Sequence, residues 1–191
     1  MERSIKNVAL VGLLSLFVLA GCGGGSTTQG KLPNGVSEVT IVNGDDAITV
    51  PMKVDDLLAL GWDLSESRQA EILDKSLEPH QYTSLNITKN GQTIRVYMAN
   101  FGDGEASTVR ESTAFAMLLK DTDAEEWALS TGIKPGVSSR EDVVEAYGEP
   151  TRSEDDRMTY DHFLFNLKND IVSSIGINGT ALNGLLDANF D

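Results

Sequence analysis

The stretch Tyr82–Met98, YTSLNITKNGQTIRVYM, decides how this chain is read. Leu85 and Ile87 alternate with polar residues on one side of Asn90-Gly91, and Ile94, Val96 and Met98 alternate on the other. Strand side chains point to opposite faces in turn, so each arm has one apolar face. Asn-Gly between two such arms is the strongest short-range signal for a β-hairpin, because both central residues of the tight turn need positive φ.

A second arm pair follows at His162–Ile177, HFLFNLKNDIVSSIGI. Phe163, Phe165 and Leu167 share one face, Asn169-Asp170 turns, and Ile171, Ser173, Ile175 and Ile177 return. Each hairpin is preceded by a short amphipathic stretch closed by glycine. The first is VPMKVDDLLALGWD, Val50–Asp63, and the second is KPGVSSREDVVEAYGEP, Lys134–Pro150. With Gly61 set against Gly148, Asp55 falls on Asp142, Leu57 on Val144 and Leu60 on Tyr147. Glycine suits the residue past a helix end, Ser138 and Glu141 have capping-box spacing, and the early acids favour the helix dipole. Leu57, Leu60, Val144 and Tyr147 are therefore expected to face a sheet.

These patterns predict an α+β fold. Tandem helix-plus-hairpin repeats, at about 36–100 and 110–177, would pack their helices on one face of an antiparallel sheet. Each unit alone is too small for a sound core, so residues 36–191 are expected to form one domain. A further strand is expected at Ser112–Lys120 and an opening hairpin at Glu38–Val50. Residues 64–80 suit either helix or strand, and 178–191 is expected to pack as an irregular cap.

The beginning of the chain carries a different message. Arg3 and Lys6 are followed by the uncharged run Val8–Ala20 and then by Cys22, the chain's one cysteine. That run is shorter than the ~20 residues of a membrane span, and the order basic, apolar, small is that of a secretory signal. Leu19-Ala20-Gly21-Cys22 resembles the bacterial lipobox, which implies cleavage before Cys22 and lipid attachment to its thiol. Residues 1–21 then form a lipoprotein signal peptide. Gly23–Gly35, rich in Gly, Ser and Thr, makes 22–35 a flexible tether. The protein is expected at a cell membrane, anchored by the lipid on Cys22 on the extracytoplasmic face. Several acyl chains hold firmly at ~0.8 kcal/mol per buried CH₂.

The second glycine-closed stretch carries a wider likeness. GIKPGVSSREDVVEAYGEPT, with the aromatic and aliphatic residues of Tyr160–Ile175, resembles the beta-lactamase-inhibitor-protein-like fold, which includes the small lipoprotein of the outer-membrane barrel assembly machinery. The first stretch departs from that pattern, with Trp62-Asp63 where the second has Glu149-Pro150. The whole arrangement is similar to surface lipoproteins of Gram-positive bacteria. The likeness spans roughly residues 36–177 and implies a binding fold without known catalysis.

Charge and motifs narrow the function. The formal net charge is −14, which argues against nucleic acid, since that partner needs a basic footprint. No phosphate loop or Gly-x-Ser-x-Gly elbow occurs. DTDAEE at Asp121–Glu126 opens like a calcium loop, but Glu126 and Gly132 stand where that loop needs Gly and Glu. His80 and His162 lack metal-ligand spacing. Hence no cofactor, metal or catalytic residue is assigned, and the chain reads as a non-catalytic interaction module for an envelope or extracellular protein. The alternative is an enzyme inhibitor or hydrolase acting on extracellular or cell-wall material. Trp127, between an acidic run and turn-forming residues, is the candidate ligand-binding side chain, because interfaces favour Trp and Tyr as anchors.

Overall fold

A computed structural model describes residues 38–65, 68–102 and 104–179. The elements run β1 (Val39–Asn43), β2 (Asp46–Val50), β3 (Met52–Lys53), α1 (Val54–Ala59), β4 (Asp63–Leu64), α2 (Gln69–Leu73), β5 (Ser76–Leu77), β6 (Tyr82–Lys89), β7 (Gln92–Ala99), β8 (Ser107–Thr108), β9 (Thr113–Lys120), β10 (Ala128–Leu129), α3 (Arg140–Tyr147), β11 (Arg152–Glu154), β12 (Arg157–Thr159), β13 (Phe163–Lys168) and β14 (Ile171–Asn178). The expected signal and tether (residues 1–35, Cys22 included) lie outside the described residues, as do residues 180–191 of the expected irregular cap.

The expected α+β arrangement of helix-plus-hairpin repeats is overturned. The chain is mostly β, with 47% strand against 13% helix. A large antiparallel sheet runs β11-β12-β13-β14-β9-β7-β6-β4, with β3 also paired to β9. Its principal core also takes in a second, three-stranded sheet, β10-β1-β2, through Val39, Ile41, Ile48, Val50 and Leu129. The helices are too short to cover a sheet. α1 has six residues and α3 eight, about two turns at most. α1 and α3 add Val54, Leu57 and Val143 to the principal core, and the five-residue α2 adds Leu73. Leu60, expected to face the sheet, is 44% exposed, because the helix ends at Ala59 and the chain turns through Gly61 at φ +85°. In α3 the buried residue is Val143, with Val144 and Tyr147 partly covered beside it.

Both hairpins form where the alternation placed them. In β6–β7, Leu85 pairs with Val96 and Ile87 with Ile94, and Asn90 and Gly91 take φ of 53° and 81°. Positive φ at both turn residues twists the arms compatibly with a sheet. In β13–β14 the register shifts between Asn166 and Leu167, so Leu167 pairs with Val172. That bulge makes Val172 the buried residue in place of Ile171 and Ser173, since one extra residue exchanges the two faces of a strand. The opening hairpin, β1–β2, turns through Gly44-Asp45, with Asn43 paired to Asp46. The region 64–80 resolves into the short α2 and β5.

Trp127 belongs to the principal core. Its ring is 2% exposed and lies 5.4 Å from that of Trp62, tilted by 47°. The acidic residues before it do not carry it outward, because its N–H closes a turn onto Ala124 O at 3.0 Å and Ala124 is itself fully buried. A buried ring pair stabilises by area and by ring geometry. It offers no surface to a partner.

The cap of α3 sits one residue beyond the expected serine. Ser139 Oγ accepts from Asp142 N, and the Asp142 carboxylate accepts from Ser139 N at 2.7 Å. Ser138 is occupied elsewhere, accepting from Lys134 N at 3.0 Å. The Ser139 N–H, then its hydroxyl, hold the Asp142 carboxyl below its ordinary pKa.

Two predictions follow from the packing and the cap. Trp127→Ala should lower unfolding stability in urea by about 3–5 kcal/mol, as for other large core rings. A variant of unchanged stability would place the ring outside the core. A folded pKa below the unfolded value gives stability that is present above the ordinary carboxylate range and lost as pH falls through the folded value. Asp142→Asn should therefore be less stable than the parent at neutral pH, and the gap should close on acidification. A pH-independent gap would remove the carboxylate from the cap.

Candidate functional site

The described surface offers one built feature at the junction of β10, α3 and the start of β14. It is the turn Lys134–Ser138. Three backbone bonds fix it: Gly136 N–H donates to Val172 O at 2.6 Å, Val172 N–H to Ser138 O at 2.8 Å, and Ser138 N–H to Lys134 O at 3.0 Å. Gly136 adopts φ +76°, and a Cβ there would come within 3.2 Å of Asp121 Cβ. Both the positive φ and the close approach require glycine. The turn presents Val137, 65% exposed, the most exposed of the large apolar side chains in the described structure.

Two open grooves flank this tip, each of about 480 Å³. One is lined by Thr131, Gly132, Ile133, Ser138, Asp142, Glu145 and Ala146. The other is lined by Asp121, Glu125, Glu126, Lys134, Pro135, Gly136 and Val137. Carboxylates thus stand on both sides of an apolar tip, with Lys134 as the cation among the lining residues. Some are already engaged: Asp142 caps α3, and Glu126 accepts from Asn43 Nδ2 at 3.3 Å. Arg140 braces the neighbouring loop, donating to Asp170 Oδ1, Ser153 Oγ, Glu154 O and Asp155 O.

Tyr147 and Tyr160 have phenol pKa values raised by burial, but each is held in the fold. The Tyr147 hydroxyl bonds Thr131 Oγ1 at 2.7 Å, and Tyr160 donates to Gly148 O at 2.8 Å. Their rings pack with Phe163 and Phe165. The imidazole Nδ1 of His162 lies 3.1 Å from Asn178 O. His80 sits at φ +61° in a turn, with its N–H on Asn100 O at 2.8 Å. Among the described residues, no group of three or more His, Cys, Asp and Glu is placed to hold a metal ion.

Of the residues expected to carry function, Cys22 lies outside the described residues and Trp127 is in the core. Val137 was not singled out by its sequence, although Pro135-Gly136 before it marks a turn. Its exposure depends on the pairing of Gly136 with Val172, 36 positions away, which no local pattern carries. Among the described residues, no helix is long and apolar enough to cross a membrane. Comparison with protein-family models, with curated proteins and with solved structures gives no match.

Proposed function

We propose that the chain is a lipid-anchored lipoprotein of the bacterial cell envelope, acting as a non-catalytic interaction module. The observation that carries this reading is Leu19-Ala20-Gly21-Cys22 after a basic start and a short apolar run. The lipid on Cys22 holds the protein to the extracytoplasmic face of a cell membrane, with a Gram-positive surface favoured by the likeness described above. The tether sets the domain off from the lipid. The contact surface is the Val137 tip with its two grooves, since a rigid apolar tip between carboxylates suits a protein partner with an apolar pocket rimmed by basic groups. A net charge of −14 also speeds encounter with such a partner at low salt.

Mass spectrometry of the mature protein should find residues 1–21 removed and acyl groups on Cys22. Cys22→Ala should leave the signal uncleaved by the lipoprotein peptidase and abolish acylation. An unmodified Cys22 in the mature chain would end the lipoprotein reading. For the contact surface, partners captured from native envelopes by the parent should be lost with Val137→Asp and kept with Leu60→Ala, a second exposed apolar site. Equal capture by both variants would move the surface elsewhere. Turnover of a cell-wall substrate by the purified chain would favour the hydrolase alternative.

A further inference from the structure

Acids outnumber bases in this chain by 29 to 15, so counter-ions for a basic side chain are plentiful. Arg68, Lys89, Arg110, Arg140 and Arg152 each have one. Two neighbouring cations on the large sheet do not. Arg95 of β7 and Lys120 of β9 line a cavity of about 180 Å³ with Asn86, Thr93, Leu118 and Asp123. That is well above the ~10–15 Å³ that one water needs. Both cations are half-buried, and among the described residues neither makes an ion pair.

Register gathers these side chains on one face. Asn86 pairs with Arg95, and Arg95 with Leu118. Direct cross-strand partners point the same way. Thr93 and Lys120 stand two residues along from Arg95 and Leu118, on the same side of their strands. The face is the one opposite the principal core, which takes Ile87, Ile94, Val96 and Leu119.

The members are held in place. Arg95 Nε donates to Asn86 Oδ1 at 3.3 Å, and the guanidinium also bonds the Tyr97 hydroxyl. Both partners are neutral, and a guanidinium has five N–H donors, so charge and donors are left over. The Lys120 ammonium has no hydrogen bond among the described residues. Asp123 is exposed at the rim and fixed through its backbone: its carbonyl accepts from Thr93 N–H at 2.7 Å, and its N–H donates to Lys120 O at 3.2 Å. Two cations against one carboxylate leave the cavity one positive charge in surplus. Drawing such charges partly out of water is unfavourable until an anion joins them.

We infer that this cavity binds the carboxylate of a small organic acid, with Arg95 and Lys120 on its oxygens, Leu118 against its carbon part and Asp123 turning away ligands of higher negative charge. The planar guanidinium fork matches a carboxylate. One negative charge balances the surplus, whereas a dianion brings a second charge up to Asp123. The cavity shares no lining residue with the grooves beside Val137.

The test follows amide NMR signals of the full chain in a neutral detergent. Acetate, and separately inorganic phosphate above its second ionisation, replace chloride at constant ionic strength. Acetate should move the Thr93, Arg95 and Lys120 amides along a saturating curve, and phosphate should bind at least about fivefold more weakly. Lys120→Gln and Arg95→Gln should each weaken acetate about tenfold, the loss expected for a bond to a charged group. Lys168→Gln removes an exposed cation outside the cavity and should bind as the parent does. Asp123→Asn should narrow the gap between acetate and phosphate. The inference is overturned by shifts that never saturate, by Lys120→Gln and Arg95→Gln chains that are folded yet bind like the parent, or by an equal loss in Lys168→Gln. Phosphate binding as tight as acetate, or an unchanged gap in Asp123→Asn, would overturn it too. None of these readouts depends on lipidation or on the Val137 surface.

Discussion

Everything else in the domain is arranged around β9. Its Thr113–Leu118 segment pairs with β7 along one edge, while β14 takes residues 116–120 and β3 takes 113–114 on the other. A strand paired on both edges has its backbone donors and acceptors satisfied, so burial costs it little. Its side chains then divide. Ala114, Met117 and Leu119 enter the principal core, whereas Phe115, Ala116 and Leu118 enter the second cluster. The register shifts opposite Tyr97 and Met98 of β7, which leaves Phe115 as the extra, bulged residue of β9. With no polar face at all, TAFAMLLK reads as a buried central strand. The two hairpins β6–β7 and β13–β14 are the elements that sheathe it.

That arrangement explains which parts of the fold were legible. Hairpins are local: Asn90-Gly91 fixes turn and register together, so the alternation of Leu85, Ile87, Ile94 and Val96 gives the burial directly. The layer opposite the sheet is not local. β10 has two residues, and its pairing of Leu129 with Ile41 crosses 88 positions. A two-residue strand has no period to detect, so the apolar periods around Leu57 and Val144 took the covering role in the sequence reading. Helical spacing over six or eight residues gives one or two buried positions and no more. The bulge at Asn166–Leu167 is equally silent in the sequence, and it reverses the sense of Ile171 and Val172.

The site was less legible than the fold, for a related reason. Trp127 looked available because its neighbours are acidic, but exposure is set by tertiary partners, and Trp62 lies 65 positions away. Val137 looked unremarkable because one valine after Pro-Gly carries no chemistry. The resemblance of Leu19-Ala20-Gly21-Cys22 to the lipobox is a matter of linear sequence, so no fold intervenes between those residues and the expectation drawn from them.

The use of both faces of the large sheet restricts what a binding role can be. One face is consumed by the principal core, and on the other Tyr97, Phe115, Ala116 and Leu118 are buried as well. Peptide addition at a sheet edge would need a long free edge strand, but the terminal strands β4 and β11 have two and three residues. One surface open to a partner is the rim of loops. There, the Lys134–Ser138 turn is held by backbone bonds to β14, so Val137 is presented without a large ordering cost on contact. Preorganisation of that kind converts more of a small contact area into affinity. Were the proposed lipid anchor present, it would add to this, because confinement near a membrane raises the effective concentration of any partner held at the same surface. A modest rim contact would then suffice under the proposed anchoring.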